Sequence, residues 1–293
     1  MKPGVLNVDK PVGATSFAVV RRLRELTGAR RVGHAGTLDP LASGVLPVLF
    51  ESATRLSDLA HQLPKTYDAS VHLGFRSATD DAEAELELGG GTARLSWEQI
   101  AVNLRQFVGA IHQEPPAFSA VKLEGRRAYR RAREGKPERP PAREVQIHSA
   151  ELLDFAPGEP AVATIRVVCG SGVYLRSLAR DLGENLGCGG YLGSLVRSAY
   201  GPLLVDNAVP LEQLSDRAGL EARLQPPEVL LSEMPPVRLT VEQEAQVRQG
   251  RAVRVLPEPN LGPLRAHDEN GRLVALGHAD LLRRMFVPDK VLG

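Results

Sequence analysis

The stretch HAGTLDPLASG, residues 34–44, holds a single carboxylate, Asp39, followed by Pro40 and set between Gly36 and Gly44, with Gly33 just before it. Asp before Pro in a glycine-rich loop is a common turn former, so a purely structural role stands open. The glycines also leave little side-chain bulk around the acid and admit backbone angles closed to other residues, so a large ligand can approach it. A lone carboxylate does chemistry as a nucleophile or as a base, and in either role it must stay ionised and be sheltered from water. With no second acid beside it in sequence, the pattern does not suggest the paired carboxylates of a glycosidase.

An ionised acid in a cavity needs a counter-charge, because burial alone would raise its pKa. Arg176 is the natural candidate. It follows the strand-like AVATIRVVCG and, with Tyr174, stands at the beginning of a helix whose apolar stripe is Leu175, Leu178, Leu182 and Leu186. Backbone N–H groups are free there and the local field is positive. As an ordinary surface ion pair, the same arginine would contribute at most about 1 kcal/mol. His34 and Tyr67 each read singly as core residues. Together with Tyr174 they would line an aromatic pocket of the kind a planar base requires.

The elements that must position these residues are legible as patterns. GVLNVDKP reads as a strand closed by Pro11, and the helix over TSFAVVRRLRELTG is capped by Thr15 or Ser16, with Val19, Leu23 and Leu26 on one face. VLPVLF is a buried strand, and KTYDASVHLGF alternates, with Tyr67, Ala69, Val71 and Leu73 on one side. SWEQIAVNLRQFVGAIHQ predicts a helix over residues 96–113, with Ser96 and Gln99 at capping-box spacing and a stripe of Ile100, Leu104, Phe107 and Ile111. Prolines break the chain at LQPPEVLLSEMPP. Beyond them lie a short helix capped by Thr240 and a hairpin turning at Asn270 and Gly271, so the last sixty or so residues form a small, mainly β module.

At 293 residues and 43% hydrophobic content, the chain can bury a substantial core. It has no apolar run of membrane-helix length and no signal-peptide run at the N-terminus, so the expected address is the cytoplasm. Cys169 and Cys188 form no CxxC pair, which indicates neither a disulfide framework nor a metal cage but reduced, buried thiols. The formal net charge is only +1, yet nine Lys/Arg face four acids between Lys122 and Glu144. A patch of that kind can neutralise phosphates, and it can equally be a solvated helix face. Acid collects elsewhere, in DDAEAELE over residues 80–87.

Several of these stretches, in the same order across some two hundred residues, resemble one family, the TruB family of tRNA pseudouridine synthases. GHAGTLDPLASGVLPV is similar to its catalytic loop, VDKPVGATSF to its N-terminal motif and KTYDASVHLG to its tyrosine-bearing strand. QEPPAFSAVKLEGRRAYRRAREG resembles the start of its RNA-gripping insertion, CGSGVYLRSLARDLG its arginine-bearing motif and GGYLGSLVRSAYGPL its last pocket segment. The resemblance implies an α+β pseudouridine synthase fold: a central mixed, mainly antiparallel sheet flanked by helices over residues 1–231, an insertion at about 112–143, and a small PUA-like domain over 232–293.

It also implies roles. Asp39 takes the position of the catalytic aspartate and Arg176 that of its ion-pair partner, while Tyr67 matches the tyrosine that stacks on the target base and is placed to assist proton removal. His34 matches the histidine that helps to hold the rearranged T-loop, Tyr174 and Lys10 match supporting positions, and Leu195 an apolar pocket residue. Lys122, Arg126, Arg127, Arg130 and Arg131 are the candidates for phosphate contacts. The implied reaction is the isomerisation of uridine 55 in the T-arm of tRNA, with base flipping, no cofactor and no metal, by a stand-alone bacterial-type monomer without an obligate protein partner. The chain departs from the family pattern at Tyr191, where the family has His, and at Val196 and Arg197, where it has paired arginines; the acidic stretch over 80–87 has no role in this reading.

Overall fold

The computed structural model describes residues 1–119, 121–123, 126–134, 137–255 and 262–292, with backbone alone at 122, 123, 126, 127, 130 and 133. Ten strands among these form one mixed sheet and five form a second, smaller one. The elements that build the first are β1 (Gly4–Lys10), α1 (Ser16–Thr27), β2 (Val32–His34), β3 (Ala42–Phe50), β4 (Lys65–Leu73), α2 (Trp97–Arg105), β5 (Gly109–Gln113), β6 (Arg143–Ala156), β7 (Ala161–Cys169), α3 (Leu175–Asn185) and β8 (Gly190–Tyr200). Their order across the sheet is β1, β3, β8, β4, β7, β6, β5, with the short strand Val209–Pro210 outside β1 and β2 beside β3. The β3–β8 pair in the middle is parallel; the pairs from β8 out to β5 are antiparallel.

Alternation explains how the sheet holds its helices. Along β7, Ala161, Ala163, Ile165, Val167 and Cys169 are all buried. They share one core cluster with Ile100 and Leu104 of α2, with Leu175, Leu178 and Leu182 of α3, and with Ala69 and Val71 of β4. Each fully buried Leu or Ile contributes about 1.5–3 kcal/mol of transfer free energy, so this face dominates the stability of the large sheet. On the other half, Val19, Val20 and Leu23 of α1 pack on Leu6, Val8, Leu46 and Val48. Thr15 accepts from the Ala18 N–H at 3.0 Å to start α1, and Gly28, at φ 63°, ends it.

The helix expected over 96–113 is only half a helix. The Ser96/Gln99 capping box starts α2 as predicted, but α2 ends at Arg105 and residues 109–113 form β5. Gly109 takes φ 112°, which breaks the helical path, and the open edge of β6 offers backbone partners from Arg143 to Ile147. Ile111, assigned by spacing to the helical stripe, lies opposite Val145 in the sheet instead.

The second sheet is built from β9 (Pro236–Arg238), α4 (Val241–Arg248), β10 (Val253–Arg254), β11 (Pro263–His267), β12 (Leu273–Asp280) and β13 (Met285–Val291), in the order β9, β11, β12, β13, β10. Gly271, at φ 77°, turns β11 into β12 where Asn-Gly predicted a hairpin. Leu273 and Leu276 of this sheet cluster with Leu56, Leu59, Leu231 and Met234 of the chain that precedes it.

Candidate active site

Register places the site. Lys10 of β1 lies opposite Gly44 of β3, Gly44 opposite Arg197 of β8, and Arg197 opposite Tyr67 of β4, so four neighbouring strands contribute one row. Residues in such a row project to the same face of a sheet. Arg197 is fully buried; its Nε donates to the Val45 carbonyl at 2.7 Å, its Nη2 to Gly36 at 3.1 Å, and its Nη1 to Thr37 at 3.4 Å and the Tyr67 hydroxyl at 3.5 Å. It therefore ties the loop that carries Asp39 to the strand that carries Tyr67. Sequence reasoning noted Arg197 only as a departure. The available signal was its parity with Leu195: two residues apart on a strand, both face the same way.

The loop is also held from α1. Ser16 Oγ accepts from the Leu38 N–H at 2.9 Å and donates to the Leu38 carbonyl at 3.0 Å, while the Gly13 N–H donates to Pro40 at 2.7 Å. Leu38 is buried and Asp39, next to it, points out of the anchored turn. Arg176, in the first turn of α3, meets it: Nη2 lies 2.8 Å from Asp39 Oδ2, with the arginine side chain 8% exposed and the aspartate 35%. This is a counter-ion built into the protein and not a solvated surface pair. Arg176 also donates to the carbonyls of Thr79 at 3.4 Å and Phe118 at 3.2 Å, and pairs with Asp81 at 3.4 Å. The acidic stretch thus acquires a structural role at its first two residues, because Asp80 and Asp81 are both buried and both salt-bridged to arginines.

The remaining candidates separate into those inside the row and those beside it. Lys10 is fully buried, donates to the carbonyls of Pro11 at 2.9 Å and Ala14 at 2.7 Å, and has its pKa pulled down to about 8 by burial, against the opposing pull of Asp39. Burial pushes the Tyr67 phenol upward, so it keeps its proton at neutral pH. Leu195 lies opposite Ala42 and Ala69 and packs in the core cluster that includes Leu38. His34 ends β2, half-buried; burial, followed by Arg197 and His61, lowers its pKa and keeps it neutral, and its Nδ1 has no hydrogen-bond partner among the described residues. Tyr174 caps α3 through its backbone, gripped on both sides by the Gln113 side chain at 2.8 and 3.1 Å, with its ring beneath the Arg143 guanidinium at 5.3 Å. Gln113 is a second residue that sequence reasoning missed.

Of the phosphate-contact candidates, Arg131 pairs with Glu138 at 2.8 Å. The side chains of Lys122, Arg126, Arg127 and Arg130 lie outside the described residues. The departures at Tyr191 and Val196 fall off the site. Tyr191 is hydrogen-bonded to His72 Nδ1 at 3.1 Å, and Val196 alternates away from the row that Arg197 joins.

A family model described as TruB family pseudouridylate synthase (N terminal domain) matches residues 24–175, and a second, tRNA pseudouridylate synthase B C-terminal domain, matches 176–232. The chain belongs to the TruB family. It is a pseudouridine synthase, an RNA-modifying isomerase. A relative from Thermobifida fusca named tRNA pseudouridine synthase B is 42% identical over 282 residues, 94% of each chain, and one of the same name from Synechococcus elongatus is 40% identical over 279 residues, 94% of this chain and 93% of that one. Among solved structures, an H/ACA RNP bound to a substrate RNA containing 2'-deoxyuridine superposes with a TM-score of 0.74 at 25% identity, over 99% of this chain and 85% of that one. A Cbf5-Nop10-Gar1 complex gives 0.73 at 27% over the same shares. The large mixed sheet with its flanking helices is thus the fold of this family of synthases.

Proposed function

We propose that this enzyme isomerises uridine 55 in the T-loop of tRNA to pseudouridine, acting alone, with Asp39 as its catalytic residue. The observation that carries this reading is the 2.8 Å pair between Asp39 and a buried Arg176 in a loop anchored by Arg197 and Ser16. The arginine sets a positive charge against the acid without covering it, since the aspartate side chain remains 35% exposed. The reaction breaks the N1–C1′ bond, turns the uracil and forms a C5–C1′ bond; the proton lost from C5 is balanced by one gained at N1. No atom is added or removed overall, so one ionised group that starts and resolves the rearrangement suffices. That group attacks the anomeric carbon, adds to the pyrimidine ring or takes a sugar proton, and each route begins with the same carboxylate against the extruded nucleotide.

Extruding the base costs a few kcal/mol, which stacking and phosphate contacts must offset. Tyr67, protonated and at the β4 end of the row, supplies a ring for the uracil, and Leu195 an apolar wall. Because its phenol holds its proton, Tyr67 serves as stacking surface and hydrogen-bond donor ahead of any role in proton removal. His34, neutral and half-buried at the end of β2, takes the family's position for holding the turned-out bases of the loop. The basic residues from Lys122 to Arg131 supply the phosphate contacts.

The test is tritium release from tRNA transcripts labelled at C5 of uridine, with the modified position mapped afterwards. The wild-type chain alone should release tritium from a bare T-arm stem-loop at position 55, and Asp39→Asn should abolish release while binding RNA as before. Equal release by the variant would remove Asp39 from the chemistry. Release that appears only when a guide RNA and further proteins are added would favour the assembly-borne mode of the solved complexes over the stand-alone one.

A further inference from the structure

Asp80 and Asp81 are consecutive in the chain yet serve different arginines. Asp80 takes φ 60°, in the left-handed region that Asp tolerates better than most residues. Its carbonyl accepts from the Leu192 N–H at 3.0 Å, and Asp81 bridges to Leu192 in parallel, so both are fixed to β8. The Asp81 carboxylate turns to Arg176, the partner of Asp39. The Asp80 carboxylate turns to Arg180 at 2.9 Å and to Arg139 at 3.2 Å.

Arg139 belongs to the returning arm of the basic insertion. The outgoing arm reaches the same helix: the Glu114 carbonyl accepts from Arg180 Nη2 at 3.1 Å and from Ser177 Oγ at 2.8 Å, and the Glu114 carboxylate lies 3.5 Å from Arg139. The outgoing arm is therefore bonded directly to α3, at Ser177 and Arg180, and the returning arm reaches the same helix through Asp80, which pairs with both Arg139 and Arg180. A cavity of about 520 Å³, lined among others by Asp80, Glu114, Arg139 and Arg180, lies beside this network.

We infer that Asp80 is a positioning residue which couples the root of the insertion to Arg176, so that where the insertion rests on its RNA sets how Arg176 holds Asp39. The inference rests on the reading of Asp39 and Arg176 as the reacting pair. A displacement of Arg139 pulls on Asp80, and Asp80 is joined to Arg176 by two short routes, through the adjoining Asp81 and through Arg180 on the next turn of the same helix. An asparagine at position 80 keeps the shape and removes the charge on which both arginines converge.

The experiment measures single-turnover tritium release with the full chain in excess over labelled tRNA, and RNA dissociation constants by filter binding, for wild type, Asp80→Asn, Arg139→Gln and the double variant. With enzyme in excess and saturating, the rate constant does not depend on the fraction of chains that are folded, so a purely structural role would leave it unmoved. Each single variant should lower the rate constant roughly tenfold with the dissociation constant changed less than about threefold, and the double variant should fall no further than the slower single one. Wild-type rate constants in the singles, additive losses in the double, or losses confined to binding would overturn the coupling. If Asp80→Asn does not fold, Arg139→Gln, whose side chain is 39% exposed, decides the matter by the same criterion. An inactive wild type would instead bring down the proposed function itself, a result distinct from an active wild type with unaffected variants.

Discussion

Gly44 lies directly opposite Arg197 across the parallel β3–β8 pair, at φ 101°, and a Cβ there would stand 2.4 Å from the Arg197 carbonyl oxygen. The glycine of the sequence motif is thus needed less for ligand access than for strand contact: it lets β3 approach the strand whose arginine anchors the Asp39 loop.

Gly44→Ala should therefore cost more than the conformational penalty alone. A strained left-handed residue costs about 1–3 kcal/mol, and overlap with backbone adds to it. Gly28→Ala is the control, at φ 63° with open space around its Cβ position. Urea midpoints should fall for both and distinctly further for Gly44→Ala; equal losses would mean that the close approach is unimportant.

Arg176→Lys keeps the charge and loses the fork. A single ammonium cannot hold Asp39, Asp81 and the carbonyls of Thr79 and Phe118 together. Conversion of tRNA should slow on the order of 10²-fold with RNA affinity nearly unchanged, as expected when a preorganised electrostatic partner is lost. A lysine variant as fast as wild type would show that a nearby positive charge is all the site requires.

Stability should rise with pH above about 8. Lys65 is buried, hydrogen-bonded to the His61 carbonyl and to Ser171 Oγ, and burial lowers its pKa from 10.5 to about 8; Lys10 behaves alike. Between pH 8 and 10.5 the unfolded chain keeps protons that the folded one has released, so raising the pH favours the fold. Cys169, whose thiol burial raises from 9.0 to about 12, and Cys188, shifted the same way, oppose part of this rise from about pH 9, and Tyr67 and Tyr200, also raised by burial, add to the opposition once unfolded phenols ionise near pH 10. Between pH 8 and 9.5 each lysine should add about 1–2 kcal/mol. Lys65→Met should flatten part of that rise, and a wild-type slope in the variant would remove Lys65 from the account.

Replacing Arg126, Arg127, Arg130 and Arg131 with glutamate should weaken tRNA binding and flatten its dependence on salt. Each lost phosphate contact lowers the slope of log K against log salt by about 0.7–0.9. An unchanged slope would take the insertion out of the RNA interface.

Much of the site's framework was legible because it follows simple periods. The alternation of Tyr67, Ala69 and Val71 and the apolar stripe of α3 place Tyr67 on its strand and Arg176 at the beginning of its helix from the sequence alone. What escaped depends on pairing between distant strands. A buried arginine such as Arg197 looks like an exposed one until its register with Gly44 and Tyr67 is known. Asp80 and Asp81 likewise read only as part of an acidic run without a role, because the arginines that pair with them come from residues 139, 176 and 180. The false continuation of α2 has a local origin: over so short a run, Phe107 and Ile111 satisfy helical spacing as well as any strand period, and the decisive term was the free edge of β6.

The parallel join of β3 to β8 also governs when the Asp39 loop can be anchored during synthesis. Nothing N-terminal to residue 190 supplies the strand that pins the Asp39 loop, so a nascent chain that has already formed β1, β3 and β4 still lacks a finished pocket. Closing so distant a contact is slow, so the loop that carries Asp39 gains its anchor only when this late strand enters the middle of the sheet.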